Sequence, residues 1–336
     1  GNRSVFSRRL QELIQRRLAA KEQIILFLNK RGYAGFVSCR MCGHVLKCPH
    51  CDISLTEHKN GKMVCHYCGY EQPRVTRCPV CGSKYISGFR AGTQQIEEAV
   101  KKMYPQARVL RMDMDTTAGK EGHEKILAAF SAQEADILVG TQMIVKGHDF
   151  PNVTLVGVLA ADMSLYAGDY RAAERTFELL TQAAGRAGRG DEKGRVIIQT
   201  YSPEHYAVTF AAAQDYKGFF ETEITLRMYM GYPPFSDMFQ VVFSSKDKEA
   251  ALRGAESWYG RLRAVMDPDE RGSVFPPQEA YMKKINDTYR YSMLIKCARG
   301  KRREYSAMIS MLKEEDRKNR KKKYTAVVDV NPYSFV

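Results

Sequence analysis

The chain has 336 residues, of which 44% are apolar and 27% are charged, and its formal net charge is +14 at pH 7. These values describe a soluble, folded protein with room for two or three domains, and no apolar run approaches the roughly 20 residues of a membrane-spanning helix. The positive surplus is concentrated near the two ends, as between residues 3 and 31, where eight lysines and arginines face two glutamates. Such a surplus favours a polyanionic partner, nucleic acid above all; the alternative is a solvated, solubilising face.

The first predicted elements are a helix over 4–21 and a buried strand over 23–28. The helix has one apolar face, formed at helical spacing by Leu10, Leu13, Ile14 and Leu18. The strand is a continuous apolar run without alternation, which is typical of a parallel sheet covered on both sides. The chain begins with Gly-Asn rather than Met, so we expect it to be part of a longer protein.

A cysteine-rich segment follows, in which eight of the nine cysteines form four Cys-x-x-Cys pairs. The pairs are Cys39/Cys42, Cys48/Cys51, Cys65/Cys68 and Cys78/Cys81. One such pair supplies two of the four thiolates that a tetrahedral Zn²⁺ binds at about 2.3 Å, so the four pairs predict two zinc ions in closed, structural sites. Disulfides are not expected, because the chain is long and has no signal peptide.

The four pairs can be grouped on two metals in three ways. Thirteen residues separate Cys51 from Cys65, which is close to the usual spacing of a zinc ribbon. This spacing favours a nested arrangement, in which the first zinc is bound by Cys39, Cys42, Cys78 and Cys81 and the second by Cys48, Cys51, Cys65 and Cys68. The sequential arrangement, in which neighbouring pairs share a metal, stays open. The segment also contains four histidines, which are alternative zinc ligands: His44, His50, His58 and His66. Four complete cysteine pairs leave no coordination position for them.

Helices and strands alternate after this segment, which predicts an α/β sandwich with a parallel sheet. The predicted helices cover 93–104, 120–131 and 172–187, and the predicted strands cover 108–112, 136–139, 154–159 and 195–200. Together with residues 1–37, the region 84–230 is expected to form one discontinuous domain. The cysteine-rich module, residues 38–83, is then an insertion into a loop of that domain.

A domain boundary is predicted at Gly-Tyr-Pro-Pro-Phe, residues 231–235, because adjacent prolines end a helix and suit a linker. Beyond it, the order β-α-β-β-α-β predicts a small α+β domain over 231–336. Its strands are predicted at 238–245, 273–283, 289–297 and 324–330, and its helices at 247–265 and 301–318. Cys297 stands in an apolar stretch of this domain and is interpreted as a small buried hydrophobe.

The most specific stretch for function is Gln-Ala-Ala-Gly-Arg-Ala-Gly-Arg-Gly, residues 182–190. On a helix, Gln182, Arg186 and Arg189 share one face, because they are spaced by four and three residues. Two glycines between them each cost a helix about 1 kcal/mol relative to alanine, which suggests that another backbone or a ligand approaches closely. Guanidinium groups on a rigid stripe suit the γ-phosphate of a nucleotide; the alternative is a helix end with solvated arginines.

A second stretch, Leu138–Pro151, joins the end of a predicted strand to a polar turn. In open parallel sheets, ligands bind at this carboxyl edge. Thr141 and Gln142 are placed to contact a phosphodiester backbone, and Asp149 is placed to hydrogen-bond a ribose or a neighbouring arginine. An ordinary strand-to-loop turn has a similar pattern, so this stretch does not identify a site by itself. It adds to the indication from residues 182–190.

Several stretches together resemble one known family, the PriA replication-restart DNA helicases (primosomal protein N′). The closest similarity is in residues 29–36 (Asn-Lys-Arg-Gly-Tyr-Ala-Gly-Phe), 139–158 and 169–190. The spacing of the cysteine pairs and the stretches 231–235 and 328–332 also fit the family, and the resemblance covers essentially the whole chain. It implies a RecA-like second helicase lobe, an inserted two-zinc Cys-rich module and a small α+β C-terminal domain.

The resemblance also implies roles for individual residues. Residues 182–190 are similar to helicase motif VI, in which Arg189 would be the arginine finger and Arg186 and Gln182 would contact phosphate or organise the cleft. Residues 140–149 are similar to motif V, which couples the nucleotide state to the DNA strand. The residues assigned there to the nucleotide are Gly147 and Asp149, and those assigned to DNA are Thr141, Gln142 and Lys146.

Two motifs of the family are absent from the 336 residues: the Gly-x-x-x-x-Gly-Lys-Ser/Thr phosphate loop and the Asp-Glu-x-His box that holds Mg²⁺. The family carries both in a preceding lobe, together with an N-terminal fork-binding domain. The chain is therefore expected to be the C-terminal portion of such a protein. It is expected to engage ATP and Mg²⁺ only with the missing lobe, and to hydrolyse no ATP by itself.

The partners that the resemblance implies are replication forks, single-stranded DNA, the single-strand DNA-binding protein and primosome-loading proteins, in the bacterial cytoplasm at the nucleoid. No membrane partner is expected. Two other functions stay open for the chain. It is either a non-catalytic nucleic-acid-binding module, or a docking scaffold for the tail of the single-strand DNA-binding protein and for primosome loaders.

Overall fold

The structure is a computed structural model. It describes residues 4–28, 37–39, 41–50, 54–57, 61–65, 69–88, 92–113, 116–117, 122–141, 150–166, 169–187, 194–265, 273–319 and 322–333. Within these ranges, none of the helices has the length and apolar character that crossing a bilayer requires.

Helices and strands occur in both halves of the chain. The helices are α1 (Arg8–Ala19), α2 (Thr93–Met103), α3 (Gly122–Ser131), α4 (Asp162–Leu165), α5 (Ala172–Ala184), α6 (Tyr206–Ala213), α7 (Tyr216–Met230), α8 (Lys248–Val265) and α9 (Arg302–Lys318). The strands are β1 (Gln23–Leu28), β2 (Val37–Cys39), β3 (Thr56–Glu57), β4 (Lys62–Val64), β5 (Glu71–Pro73), β6 (Ile86–Gly88), β7 (Val109–Met112), β8 (Ile137–Gly140), β9 (Val153–Leu159), β10 (Arg195–Ile198), β11 (Ser236–Ser245), β12 (Ser273–Val274), β13 (Gln278–Ile285), β14 (Thr288–Ala298) and β15 (Thr325–Val330).

The chain divides into two compact units. Unit 1 comprises Gly1–His44, Arg77–Ala167 and Arg171–Phe220, and unit 2 comprises Val45–Thr76, Gly168–Tyr170 and Glu221–Val336. This division differs from the predicted one, because the segment 38–83 is shared between the units. Its two ends belong to unit 1, where β2 pairs with β6, whereas its middle forms β3, β4 and β5 in unit 2. The units also divide at Phe220, which lies inside α7, so the predicted domain boundary at 231–235, just after this helix, stays a prediction.

A parallel sheet is the framework of unit 1. Among the described residues it has five strands in the order β10-β9-β1-β8-β7. Every residue of β1 and β9 is buried, which agrees with a sheet covered on both faces. On one face α1 packs so closely that a Cβ at Gly157 would lie 3.1 Å from Leu10 Cδ1. The predicted α/β sandwich is confirmed.

The helices of unit 1 include three that the sequence did not predict: α4, α6 and the beginning of α7. Phe177 of α5 and Phe219 of α7 stack with ring centroids 4.2 Å apart. Both side chains belong to the same core cluster as Ala207 and Val208 of α6. These helices therefore complete the apolar cover over the face of the sheet that carries α5.

An antiparallel sheet is the framework of unit 2. Within the described part of the chain its order is β12-β14-β11-β15, with β13 also paired to β14. The core lies between this sheet and the helices α8 and α9, and it includes Trp258, which is fully buried. The indole Nε1 of Trp258 donates to Asp316 Oδ2 at 3.1 Å, and Tyr324 Oη donates to Asp316 Oδ1 at 2.9 Å. The predicted β-α-β-β-α-β order is confirmed, except that the strand expected over 273–283 is the two strands β12 and β13.

Candidate metal centre and sheet-edge site

Three of the four Cys-x-x-Cys turns share one backbone geometry among the described residues. In each, the N–H of the first cysteine donates to the carbonyl five residues later, at 2.8 Å, and the N–H of a glycine four residues later donates back to the cysteine carbonyl at 2.9–3.0 Å. The glycines have φ values of +69° to +77°, in the left-handed region that a side chain disfavours. The first cysteines and their glycines are Cys39 with Gly43, Cys65 with Gly69, and Cys78 with Gly82.

Four cysteine sulfurs meet in unit 1. The Sγ atoms of Cys39, Cys42, Cys78 and Cys81 all lie within 4.8 Å of one another. The Cys39–Cys81 and Cys42–Cys78 distances are both 3.6 Å. A tetrahedral zinc with bonds of about 2.3 Å requires similar distances, and four thiolates are the ligands of structural zinc sites. The residues therefore fit this metal, and the four sulfurs are those of the nested pairing.

The four cysteines assigned to the second zinc, Cys48, Cys51, Cys65 and Cys68, are described only in part. Cys48 and Cys65 are both buried, and the N–H of His50 donates to Cys48 Sγ at 3.4 Å. Cys65 lies where β4 turns into β5, so that its turn is the tip of a hairpin. Cys51 and Cys68 lie outside the described residues. The second predicted zinc site therefore stays a prediction.

The predicted sheet-edge site is also described in part. Thr141 follows directly after β8, at the carboxyl edge of the parallel sheet, where the motif V resemblance places it. The other residues assigned to this stretch lie outside the described ranges; they are Gln142, Lys146, Gly147 and Asp149. Their proposed contacts with nucleotide and DNA stay predictions.

The end of α5 differs from its prediction. The helix ends at Ala184 instead of 187, and the N–H groups of Arg186 and Ala187 donate to the carbonyls of Ala183 and Ala184 at 3.1 and 3.4 Å, as in a tighter 3₁₀ turn. Gln182 is exposed in the last helical turn. The prediction that Gln182 and Arg186 share the face of one α-helix is wrong, because the backbone tightens at the glycine that caps the helix.

The surroundings of Gly185 show no close approach of another backbone among the described residues, whereas the approach of a ligand, the other expected reason for a glycine, stays a prediction. A Cβ at this position would meet only the carbonyl oxygens of its own turn, Gln182 at 3.6 Å and Thr181 at 3.7 Å, among the described residues. No other backbone in that part of the chain requires a glycine here. Arg189 lies outside the described residues, so its role as the arginine finger stays a prediction.

Two carboxylates at the sheet edge were missed from the sequence. Asp113 follows β7 and accepts from Thr93 Oγ1, and Asp162 follows β9 and accepts from Thr200 Oγ1 at 2.9 Å. Both are almost fully buried. Burial raises the pKa of Asp162, although hydrogen bonds from Thr200 and from the backbone N–H of Tyr201 oppose the shift. Asp113 directly follows β7, whereas Asp162 lies three residues after β9, so no common spacing from a strand end identifies both.

Three protein-family models match the chain. They are the primosomal protein N C-terminal domain over residues 228–333, the PriA DNA helicase Cys-rich region domain over 48–73, and the helicase conserved C-terminal domain over 84–191. The matches agree with the predicted succession of a helicase lobe, a cysteine-rich module and a small C-terminal domain.

Similar curated proteins carry the description replication restart protein PriA. The chain is 46% identical to the protein of Bacillus subtilis (strain 168), over 100% of the chain and 42% of the relative. It is 41% identical to that of Synechocystis, over 88% and 36%, and 39% identical to that of Chlamydia pneumoniae, over 88% and 39%. The chain thus spans about two fifths of these relatives. With two PriA-specific models and a relative that aligns along its entire length, the chain belongs to the PriA family of replication restart proteins.

Proposed function

We propose that this chain supplies the second lobe, the metal module and the C-terminal domain of an ATP-dependent DNA helicase that remodels stalled replication forks and helps to assemble the primosome. The observation that carries the proposal is the 46% identity to a replication restart protein along the whole chain. The parallel sheet of unit 1, with Thr141 at its carboxyl edge, supports it, because such edges bind ligands in α/β folds.

The proposed nucleotide site lies between this lobe and a lobe with a phosphate loop. Arg189 and Arg186 would stabilise the charge that develops on the γ-phosphate, with Gln182 organising the cleft and Gly147 and Asp149 lining it. Guanidinium groups suit this task because they stay charged and offer several donors in one plane. Mg²⁺ would be held by the acidic box of the other lobe. The lobe of this chain would bind DNA through Thr141, Gln142 and Lys146.

The proposed metals are two zinc ions with structural roles. The first is assigned to the four sulfurs of Cys39, Cys42, Cys78 and Cys81, whose spacing suits a tetrahedral site. The second is assigned to Cys48, Cys51, Cys65 and Cys68. Four thiolates leave no open coordination position, so each ion would stabilise a local fold without activating water.

The proposed partners are replication forks and single-stranded DNA, the single-strand DNA-binding protein, and primosome-loading proteins. The net charge of +14 supports a polyanionic partner, because neutralising phosphates releases counterions. A non-catalytic binding or docking module is the competing proposal, and it requires no turnover of ATP.

ATP turnover decides between the helicase and the non-catalytic proposals. The chain is assayed by itself and within a protein that also carries the phosphate-loop lobe. We expect no turnover from the chain alone, and DNA-stimulated turnover from the longer protein. Arg189→Ala should lower that turnover by about 10³-fold or more, because an arginine finger contributes on that scale.

A matched arginine controls for the loss of charge. Arg195 is exposed at the start of β10 in the same unit, so Arg195→Ala should leave turnover unchanged. DNA-stimulated hydrolysis by the chain alone would contradict the two-lobe proposal. Full turnover by the Arg189→Ala protein would show that the assigned finger is wrong.

A further inference from the structure

The turn at Cys39 touches the main chain of a distant segment of unit 1. A Cβ at Gly43 would lie 2.2 Å from the carbonyl oxygen of Tyr201 and 3.1 Å from its carbonyl carbon. Real Cβ atoms do not come so close to backbone, so the turn is packed directly on Tyr201. Gly82 occupies the equivalent position in the turn at Cys78, with φ of +69° against +74°, yet a Cβ there would meet nothing within 4 Å.

The main chain of Tyr201 is held by one buried carboxylate. The N–H of Tyr201 donates to Asp162 Oδ1 and Oδ2, both at 3.1 Å, and Thr200 Oγ1 donates to Oδ1 at 2.9 Å. The next residue is also fixed, since Ser202 Oγ accepts from Tyr166 Oη at 2.8 Å. Hydrogen bonds to a carboxylate are stronger than those between neutral groups, so Asp162 restrains this segment firmly.

Asp162 is anchored in the framework of unit 1. It is the first residue of α4, three positions after the end of the buried strand β9, and is only 4% exposed. The N–H of Ala161 donates to the carbonyl of Gln199 at 3.0 Å, which ties this end of β9 to the residue after β10. Burial of a carboxylate is costly unless hydrogen bonds compensate it, and here the bonds from Thr200 and Tyr201 do so.

We propose that Asp162 and the main chain of Tyr201 form a seat for the turn Cys39–Gly43, and that Asp162 is a positioning residue for the zinc site of unit 1. The inference rests on the zinc proposed for Cys39, Cys42, Cys78 and Cys81. The seat fixes two of the four thiolates before the metal arrives, and the antiparallel pairing of β2 with β6 brings the other pair close to them. Retention of this zinc therefore depends on Asp162, which is more than eighty positions from any of the four cysteines in the sequence and acts through the main chain of Tyr201.

Loss of Asp162 or of the Gly43 contact should weaken zinc binding at the first site only. Residues that orient metal ligands from outside the coordination shell typically change metal affinity 10- to 100-fold. Loss of the seat should accelerate zinc release from Cys39, Cys42, Cys78 and Cys81 by about tenfold or more. The cysteines Cys48 and Cys65 belong to unit 2 and serve as an internal reference.

The experiment resolves the two metal sites in the 336-residue chain. Zinc is first counted by elemental analysis. The chain is then exposed to a chelator and pulsed with N-ethylmaleimide, and peptide mass spectrometry gives the labelling rate of each cysteine. The variants are Gly43→Ala, Gly82→Ala, Asp162→Ala and Asp162→Asn.

The two glycine variants form a matched pair, because both place alanine at positive φ and only one of them meets Tyr201. We expect Gly43→Ala to speed labelling of Cys39, Cys42, Cys78 and Cys81 about tenfold beyond Gly82→Ala, with Cys48 and Cys65 unchanged. Asp162→Ala should act in the same way. Asp162→Asn should keep most of the protection of these cysteines against labelling, because its amide oxygen still accepts from Thr200 and from the N–H of Tyr201.

Equal rates for Gly43→Ala and Gly82→Ala would overturn the seat. If Asp162→Ala does not fold, the glycine pair still decides. If elemental analysis finds no zinc at these sulfurs, the proposed zinc site itself is wrong. The experiment therefore separates failure of the zinc proposal from failure of the seat.

Discussion

Cys297 shows how one residue type takes a different role outside the Cys-x-x-Cys pairs. It lies in β14, is fully buried, and belongs to the core cluster of unit 2 that includes Met293 and Ile295. The interpretation of Cys297 as a small buried hydrophobe is confirmed. Burial raises the pKa of its thiol from 9.0 to about 11, because the apolar surroundings disfavour the thiolate.

Cys297 should therefore resist alkylation in the folded chain. At pH 8 a pKa higher by about two units lowers the thiolate population about 100-fold, and the thiolate is the reactive form. We expect iodoacetamide to label Cys297 at least 100-fold more slowly in buffer than in urea, as read by peptide mass spectrometry. The folded state binds the proton more tightly, so the contribution of this thiol to stability is present below pH 9 and is lost as the pH rises toward 11. Fast labelling of the folded chain at pH 8 would contradict this placement.

The candidate site was predictable at the residue level only where the signal is local. Cys-x-x-Cys spacing, with a glycine after the second cysteine in three of the four pairs, identifies the turns, because a turn is specified by adjacent residues. The contact between Gly43 and Tyr201 joins residues far apart in the sequence, and no local pattern encodes it. Asp162 was missed for the same reason, since its partners Thr200 and Tyr201 approach only through the pairing of β9 with β10.

At the level of elements, α8 contains two glycines with different surroundings. A Cβ at Gly254 would lie 2.6 Å from two ring carbons of Tyr324, whereas a Cβ at Gly260 would meet nothing within 4 Å. The ring of Tyr324 cannot easily yield, because its hydroxyl donates to Asp316 of α9 at 2.9 Å. The absence of a side chain at Gly254 thus lets α8 approach the segment that enters β15.

Substitution of the two glycines should have opposite effects on stability. Gly254→Ala should lower the free energy of unfolding by about 1–3 kcal/mol, the usual cost of overpacking a core. Gly260→Ala should raise it by about 0.5–1 kcal/mol, because alanine loses less backbone entropy in a helix. Urea denaturation followed by the fluorescence of Trp258, the one tryptophan of the sequence, measures both. Equal changes in the two variants would refute the contact with Tyr324.

The sequence predicted those elements whose apolar pattern is regular. The continuous apolar runs of β1 and β9 predict buried strands, and the alternation in β11 fits a sheet with one covered face. The helices α6 and α7 were missed because their apolar residues are spread around the axis and leave no stripe. Their apolar residues, such as Ala207 and Phe219, pack in the core of unit 1, which a local sequence window does not contain.

At the level of the whole molecule, charge is the property that was read most directly from composition. The surplus of +14 is densest near the two ends of the chain. A second basic region extends from Arg299 to Lys323. It includes Lys318 at the end of α9 and Lys323 before β15, and both side chains are exposed. Exposed cations at the surface are available to phosphate groups without the cost of leaving water.

Binding of single-stranded DNA should therefore weaken steeply as salt rises. Each phosphate contact contributes a slope of about −0.7 to the logarithm of the association constant against the logarithm of salt concentration. The double variant Lys318→Gln/Lys323→Gln should make this slope shallower by about 1.4 in fluorescence-anisotropy titrations. Lys101→Gln is the control, because Lys101 is also exposed but lies in α2 and pairs with Glu97 at 2.7 Å. A scaffold that binds only protein partners would show almost no slope, and an unchanged slope in the double variant would place the DNA contacts elsewhere on the chain.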